Sequence, residues 1–130
     1  MKNLDSVLSK LIINTSSESA ILVNSEGLTI ASVNAKNEDR VAVMIASLHS
    51  MGEKFSNDLE KGGINQFYIK TDTGYLLLKD VNKNTIIGLI AKDQAKLGLL
   101  MMYLDASVKE ISSLLSDTED SLDLNIRSIS

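Results

Sequence analysis

The chain predicts one mixed α/β (α+β) domain with the element order α-β-β-α-β-β-β-α, and three patterns carry that expectation. Apolar residues recur at helical spacing near the start, across the middle and toward the end. A run with period-two alternation, Leu28 to Val33, follows a short apolar run and a turn, as in a β-hairpin. Three further strand-like runs are joined by connections too short for a parallel crossover, so they form an antiparallel meander. At 130 residues, 44% of them apolar, the chain has the core-forming capacity of a single domain and no room for a second.

Leu4, Val7, Leu8, Leu11 and Ile12 define the first amphipathic helix, over residues 3–14, and residues 15–17 end it. Ala20, Ile21, Leu22 and Val23 form the first strand, Asn24 to Gly27 carry turn chemistry, and residues 28–33 return as the second strand. Asn37 is the expected cap of the middle helix, with Glu38 and Asp39 at its positive dipole end. That helix runs about five turns, to position 59 or 60, and Gly62 and Gly63 stop it. Residues 65–70, 75–80 and 85–91 read as the remaining strands. Asp93 is the expected cap of the last helix, in which Leu97, Leu100, Met101, Leu104, Val108, Ile111 and Leu115 make one stripe and Gly98 permits close packing. The domain is expected to span residues 1–116, with residues 117–130 an acidic, flexible tail or an extended segment that docks elsewhere.

Charge and composition exclude several classes of function. A formal net charge of -4 disfavours a phosphate backbone as partner, so nucleic acid is not expected. The absence of cysteine removes disulfide scaffolds, thiolate catalysis and cysteine-ligated zinc. No apolar run approaches a membrane span and the start lacks a secretory signal, so a cytoplasmic location is expected. His49 is the only histidine and reads as structural or surface, without a second strong ligand for a transition metal. No GxSxG, Walker-type or GxGxxG motif occurs; the sequence predicts no catalytic residues, no cofactor and no metal.

The middle helix carries the candidate binding surface. Placing residues at 100° intervals puts Val41, Met44, Ile45, Leu48, Met51, Gly52, Phe55 and Leu59 on the stripe expected to face the sheet. Behind it lie Ala42, Val43, Ala46, Ser47 and Ser50, small residues that let another backbone approach. Val43, Ala46, Ser47, Ser50, Glu53 and Lys54 are therefore expected to face a second subunit or a partner, the alternative being a solvent face of helix-forming alanines.

Several of these segments together resemble the Roadblock/dynein light chain family, over about residues 3–115. They are the hairpin from Ala20 to Ser32, the helix end Ser50-Met51-Gly52-Glu53-Lys54, the strand Gln66-Phe67-Tyr68-Ile69-Lys70, the run Gly74 to Leu78, and Leu89-Ile90-Ala91 with Asp93 to Leu100. The resemblance implies an α/β/α sandwich of profilin-like topology, with a five-stranded antiparallel sheet, the middle helix on one face and the terminal helices on the other. It also implies a homodimer in which the middle helices lie side by side and the third strands join the two sheets, which adds Gln66 and Tyr68 to the surface.

By the same resemblance, the expected role is regulation or scaffolding of a small Ras-like GTPase, with hydrolysis stimulated by ordering its switch loops. Arg40, the one arginine before the tail, is the candidate for an arginine finger, a surface charge being the plainer reading. Two other roles stay open: a purely architectural light-chain-like scaffold, and a small-ligand sensor. The sheet residues Ile21, Val23, Tyr68, Leu76, Leu78, Ile87 and Leu89 are expected to fill the interior, which disfavours a ligand cavity.

Overall fold

The computed structural model describes the backbone of residues 3–129 and the side chains of residues 3–117. The elements are α1 (Leu4–Thr15), β1 (Ser19–Asn24), β2 (Thr29–Val33), α2 (Glu38–Asp58), β3 (Gln66–Lys70), β4 (Gly74–Asn82), β5 (Thr85–Lys92) and α3 (Leu97–Ile129). The five strands form one antiparallel sheet in the order β2-β1-β5-β4-β3, so β2 and β3 are its edges.

Strand alternation sorts the side chains into two cores. Leu22, Leu77, Ile87 and Leu89 point to one face, where they meet Val7, Leu8 and Leu11 of α1 and Leu100, Leu104 and Ile111 of α3. Ile21, Val23, Leu78 and Ile86, their neighbours along the same strands, point to the other face, where Ala42 and Ile45 of α2 pack with them. The result is the expected sandwich, in which α2 is the one helix on its side among the described residues and touches β1, β2 and β5.

Caps set several boundaries. Asn3 caps α1 reciprocally: its side chain accepts the Ser6 backbone N–H at 2.8 Å while its own N–H reaches Ser6 Oγ at 3.1 Å. Ser16, in the left-handed region at φ 52, closes the other end of α1. Asn37 holds the N-cap position of α2 as expected, and its carbonyl accepts the Val41 N–H at 3.0 Å, but it is left-handed at φ 52 and its side chain makes no capping bond. Asp93 does not cap α3 either; it lies in the turn after β5, where its N–H donates to Thr73 O at 3.2 Å, and the helix begins at Leu97. A Cβ on Gly98 would meet nothing within 4 Å, so that glycine is not required for packing. The helix backbone of α3 continues past the expected domain edge at residue 116, and the side chains of 118–130 lie outside the described residues.

Candidate functional site, the outer face of helix α2 and the edge of strand β3

Helix α2 presents its residues differently from the helical projection. Its buried positions are Ala42, Ile45 and Gly52, while Met44, Met51, Phe55 and Leu59, expected against the sheet, are exposed. Gly88 of β5 allows the close approach of the first half, since a Cβ there would lie 2.7 Å from Ile45 Cδ1. Small Ala42 belongs to that contact and not to the outer surface.

The small residues behind the helix have an intramolecular partner. The turn between β1 and β2 folds over α2, and Gly27, at φ 86, sits so close that a Cβ would lie 3.3 Å from Val43 Cα and 3.7 Å from Ala46 Cβ. Ser25, Glu26 and Gly27 line one shallow cleft with Val43, Ala46, Ser47 and Ser50. The backbone that these small side chains admit is thus the chain's own turn. Val43 nonetheless remains 55% exposed at its rim.

What α2 offers outward is a seam of large apolar residues. Met44, Leu48, Met51 and Phe55 follow a four-three-four spacing, the repeat with which one helix packs along another. Met51 and Phe55 are 65% and 68% exposed, far above ordinary values for such side chains. Beside them an open apolar groove of about 640 Å³ runs between the second half of α2 and the approach to β3, lined by Leu48, Met51, Phe55, Leu59, Ile64 and Phe67. Lys54 lies at its border.

Among the described residues strand β3 pairs only with β4, which leaves its other edge open. Gln66 lies opposite Lys79 and Tyr68 opposite Leu77, and cross-strand partners share a face, so both project to the α3 side of the sheet. Phe67 is the β3 side chain that packs with the α2 core. Tyr68 is therefore 53% exposed at the sheet edge and fills no interior, contrary to expectation. Of the nine residues expected at the partner surface, four share the cleft with the β1–β2 turn, Lys54 borders the groove, and Gln66 and Tyr68 meet that surface only through their strand's edge. Arg40 is exposed on the first turn of α2, four residues before Met44 and next to Glu38 and Asp39.

Glu53 belongs to a polar cluster under the second half of the helix. His49 Nε2 is hydrogen-bonded to Asp80 Oδ1 of β4, and Glu53 Oε1 lies 3.7 Å from the same nitrogen. Glu53 Oε1 also accepts the Ile64 backbone N–H at 3.3 Å. Burial raises the Asp80 carboxyl above its ordinary range; the charge and hydrogen bond of His49 oppose this, and the like charge of Glu53 adds to it. One part of this cluster was visible in sequence, the i, i+4 spacing of His49 and Glu53. Asp80 also carried a signal: it follows Leu76 and Leu78 on the same strand face, which points toward α2.

Comparison with known proteins follows the fold. The model of the Roadblock/LC7 domain matches residues 5–91, which ends at β5 and leaves α3 outside. The solved structure of Myxococcus xanthus MglB is similar with a TM-score of 0.84 at 14% identity, over 88% of this chain and 95% of that one. A Roadblock/LC7 domain from Streptomyces avermitilis gives 0.83 at 21% identity, over 88% and 99%. Profilin II of Acanthamoeba castellanii gives 0.64 at 8% identity, over 86% and 98%. At these identities the likeness is one of fold. No curated protein matches the sequence. No helix among the described residues is long and apolar enough to cross a membrane.

Proposed function

The chain belongs to the Roadblock/LC7 domain family, and from that premise we propose that it is a homodimeric binding module that regulates a small Ras-like GTPase, stimulating hydrolysis by ordering the switch loops. The observation that carries this reading is the exposed Met44, Met51 and Phe55, with half-buried Leu48 between them, beside the open edge of β3. A two-fold axis through that surface sets one α2 against its copy and lets the two β3 strands pair, which covers apolar area and satisfies an edge in a single contact. The chain acts without catalytic residues of its own, because a surface that favours the competent conformation of the switch loops suffices. Arg40 serves as a surface charge in this reading.

Light scattering on the eluted protein is expected to give twice the chain mass of 14.1 kDa. Phe55→Asp removes about 1.5–3 kcal/mol of burial on each side of the axis, so the dissociation constant rises by roughly a hundred- to ten-thousand-fold. Because Phe55 is exposed in the single chain, circular dichroism of the variant should stay unchanged. Candidate GTPases loaded with a non-hydrolysable GTP analogue should co-elute with the dimer in preference to their GDP forms. A strict monomer at micromolar concentration removes the dimer; binding indifferent to nucleotide leaves the architectural scaffold as the correct role. Loss of stimulated hydrolysis in Arg40→Ala with binding intact would replace loop ordering by an arginine finger.

A further inference from the structure

His49 and Glu53 are one helical step of four apart, so their donor atoms emerge on the same side of α2. Asp80 comes to meet them from β4, where the pairing with β5 shifts register between Asp80 and Asn82. Such irregularities re-aim a side chain. One donor atom from each residue can be chosen so that all three lie within 4.8 Å of one another. A tetrahedral ion with bonds of about 2.0–2.2 Å places its ligands about 3.3–3.6 Å apart. The His49–Glu53 separation of 3.7 Å already fits. The direct His49–Asp80 hydrogen bond needs only to open by a small movement of the carboxylate for an ion to enter between them.

Electrostatics favour the same occupant. Two carboxylates converge on one imidazole, and among the described residues neither of them is paired with a lysine or arginine. Lys79, the neighbour of Asp80, points to the other face of the sheet and pairs with Asp105. The side chains are sheltered, His49 at 17% exposure and the two carboxylates at 33%, so their repulsion is poorly screened. Glu53 is also held from outside the cluster by the Ile64 N–H, the kind of supporting bond that orients a ligand.

From this geometry we propose that His49 Nε2, Glu53 and Asp80 bind one divalent transition-metal ion, for which the donor set of one imidazole and two carboxylates best suits zinc. The fourth position is open to water or to a group from a partner. The ion ties the second half of α2 to β4, and through the Glu53–Ile64 bond to the segment that enters β3. It thereby sets the height of Met51 and Phe55 above the sheet.

The test is titration of tag-free, metal-stripped protein with zinc chloride alone. His49 is the sole histidine, so its imidazole nitrogens give unambiguous signals in long-range proton–nitrogen NMR. One equivalent of zinc is expected to move the Nε2 signal to the range of a metal-bound nitrogen, and to do so in the wild-type chain, where no variant's folding enters. By calorimetry, His49→Gln and Asp80→Asn should each weaken binding by more than the roughly 10–100-fold typical of a supporting residue, while Asp105→Asn, outside the cluster, leaves it unchanged. Unperturbed His49 nitrogens at one equivalent, or equal zinc affinity in wild type and His49→Gln, would overturn the proposal.

Discussion

Replacing Gly88 by alanine is expected to destabilise the fold through one identifiable atom, and removing that atom from the opposite side should relieve the damage. An added Cβ would lie 2.7 Å from Ile45 Cδ1, 3.3 Å from Ile21 Cγ2 and 3.4 Å from Leu78 Cδ2. Carbon contacts are favourable at about 3.5–4.0 Å, so the overlap with Ile45 is on the order of 1 Å and the other two neighbours leave little room to retreat. All three are buried. Overpacking of this kind costs about 1–3 kcal/mol, partly offset by the roughly 0.5–1 kcal/mol recovered when a strand glycine is replaced. Ile45→Val deletes the offending Cδ1 and alone costs about 0.5–1.5 kcal/mol through the small void it leaves. In the double variant the new methyl occupies that void, so the two costs should fail to add by about 1–2 kcal/mol in the stabilising direction. Urea unfolding followed by helical circular dichroism measures this, with protomer concentration held constant because association contributes to stability. Additivity within about 0.5 kcal/mol would refute the claim that Gly88 exists to seat Ile45.

Two further expectations concern the cap of α1 and the charge state of Asp80. Asn3→Ala breaks the reciprocal bonds with Ser6 and should cost about 1 kcal/mol in the same urea assay, whereas Asn3→Asp, which keeps an acceptor, should cost much less. For Asp80, a carboxyl raised above its ordinary 3.8 means that the folded state holds its proton longer than the unfolded state. Stability from this group is therefore full below 3.8 and declines as pH rises from there through the folded value. The wild-type minus Asp80→Asn difference in unfolding free energy should fall as pH rises above 3.8; a rise would show that the His49 pairing outweighs burial.

Element order was legible because each signal is local. Alternation marks β2, an uninterrupted apolar run marks β1, and short polar turns force β3, β4 and β5 to return antiparallel. Family membership was legible for the same reason, since it rests on the conjunction of those segments. The seating of α2 was not. Its apolar residues form two overlapping arcs, one through Ala42 and Ile45 and another through Met44, Met51, Phe55 and Leu59, and a projection weights them by size alone. The sheet selected the smaller arc because Gly88 and Gly27 bring backbone close to the helix, and both glycines reach it only through the tertiary pairing of strands. Tyr68 was misplaced on similar grounds: its face follows from the register with Leu77, which no local pattern reveals.

The two halves of α2 are held by different physics, and that difference explains why an apolar surface is left over. Near its start the helix buries Ala42 and Ile45 on β1 and β5, so its attachment rests on apolar area removed from water. Toward its end the attachments are the His49–Asp80 hydrogen bond, the Glu53–Ile64 N–H bond and the close stacking of Ile64 and Phe67 over Gly52, where a Cβ would lie 2.4 Å from Ile64 Cδ1. Polar ties and a glycine contact hold that half without drawing its large side chains inward. Had Met51 or Phe55 faced the sheet, that half would be anchored by burial and its large side chains would not be left outside. The polar cluster and the exposed seam are thus two consequences of one rotation of α2, and a substitution that weakens the cluster should be felt first at the seam.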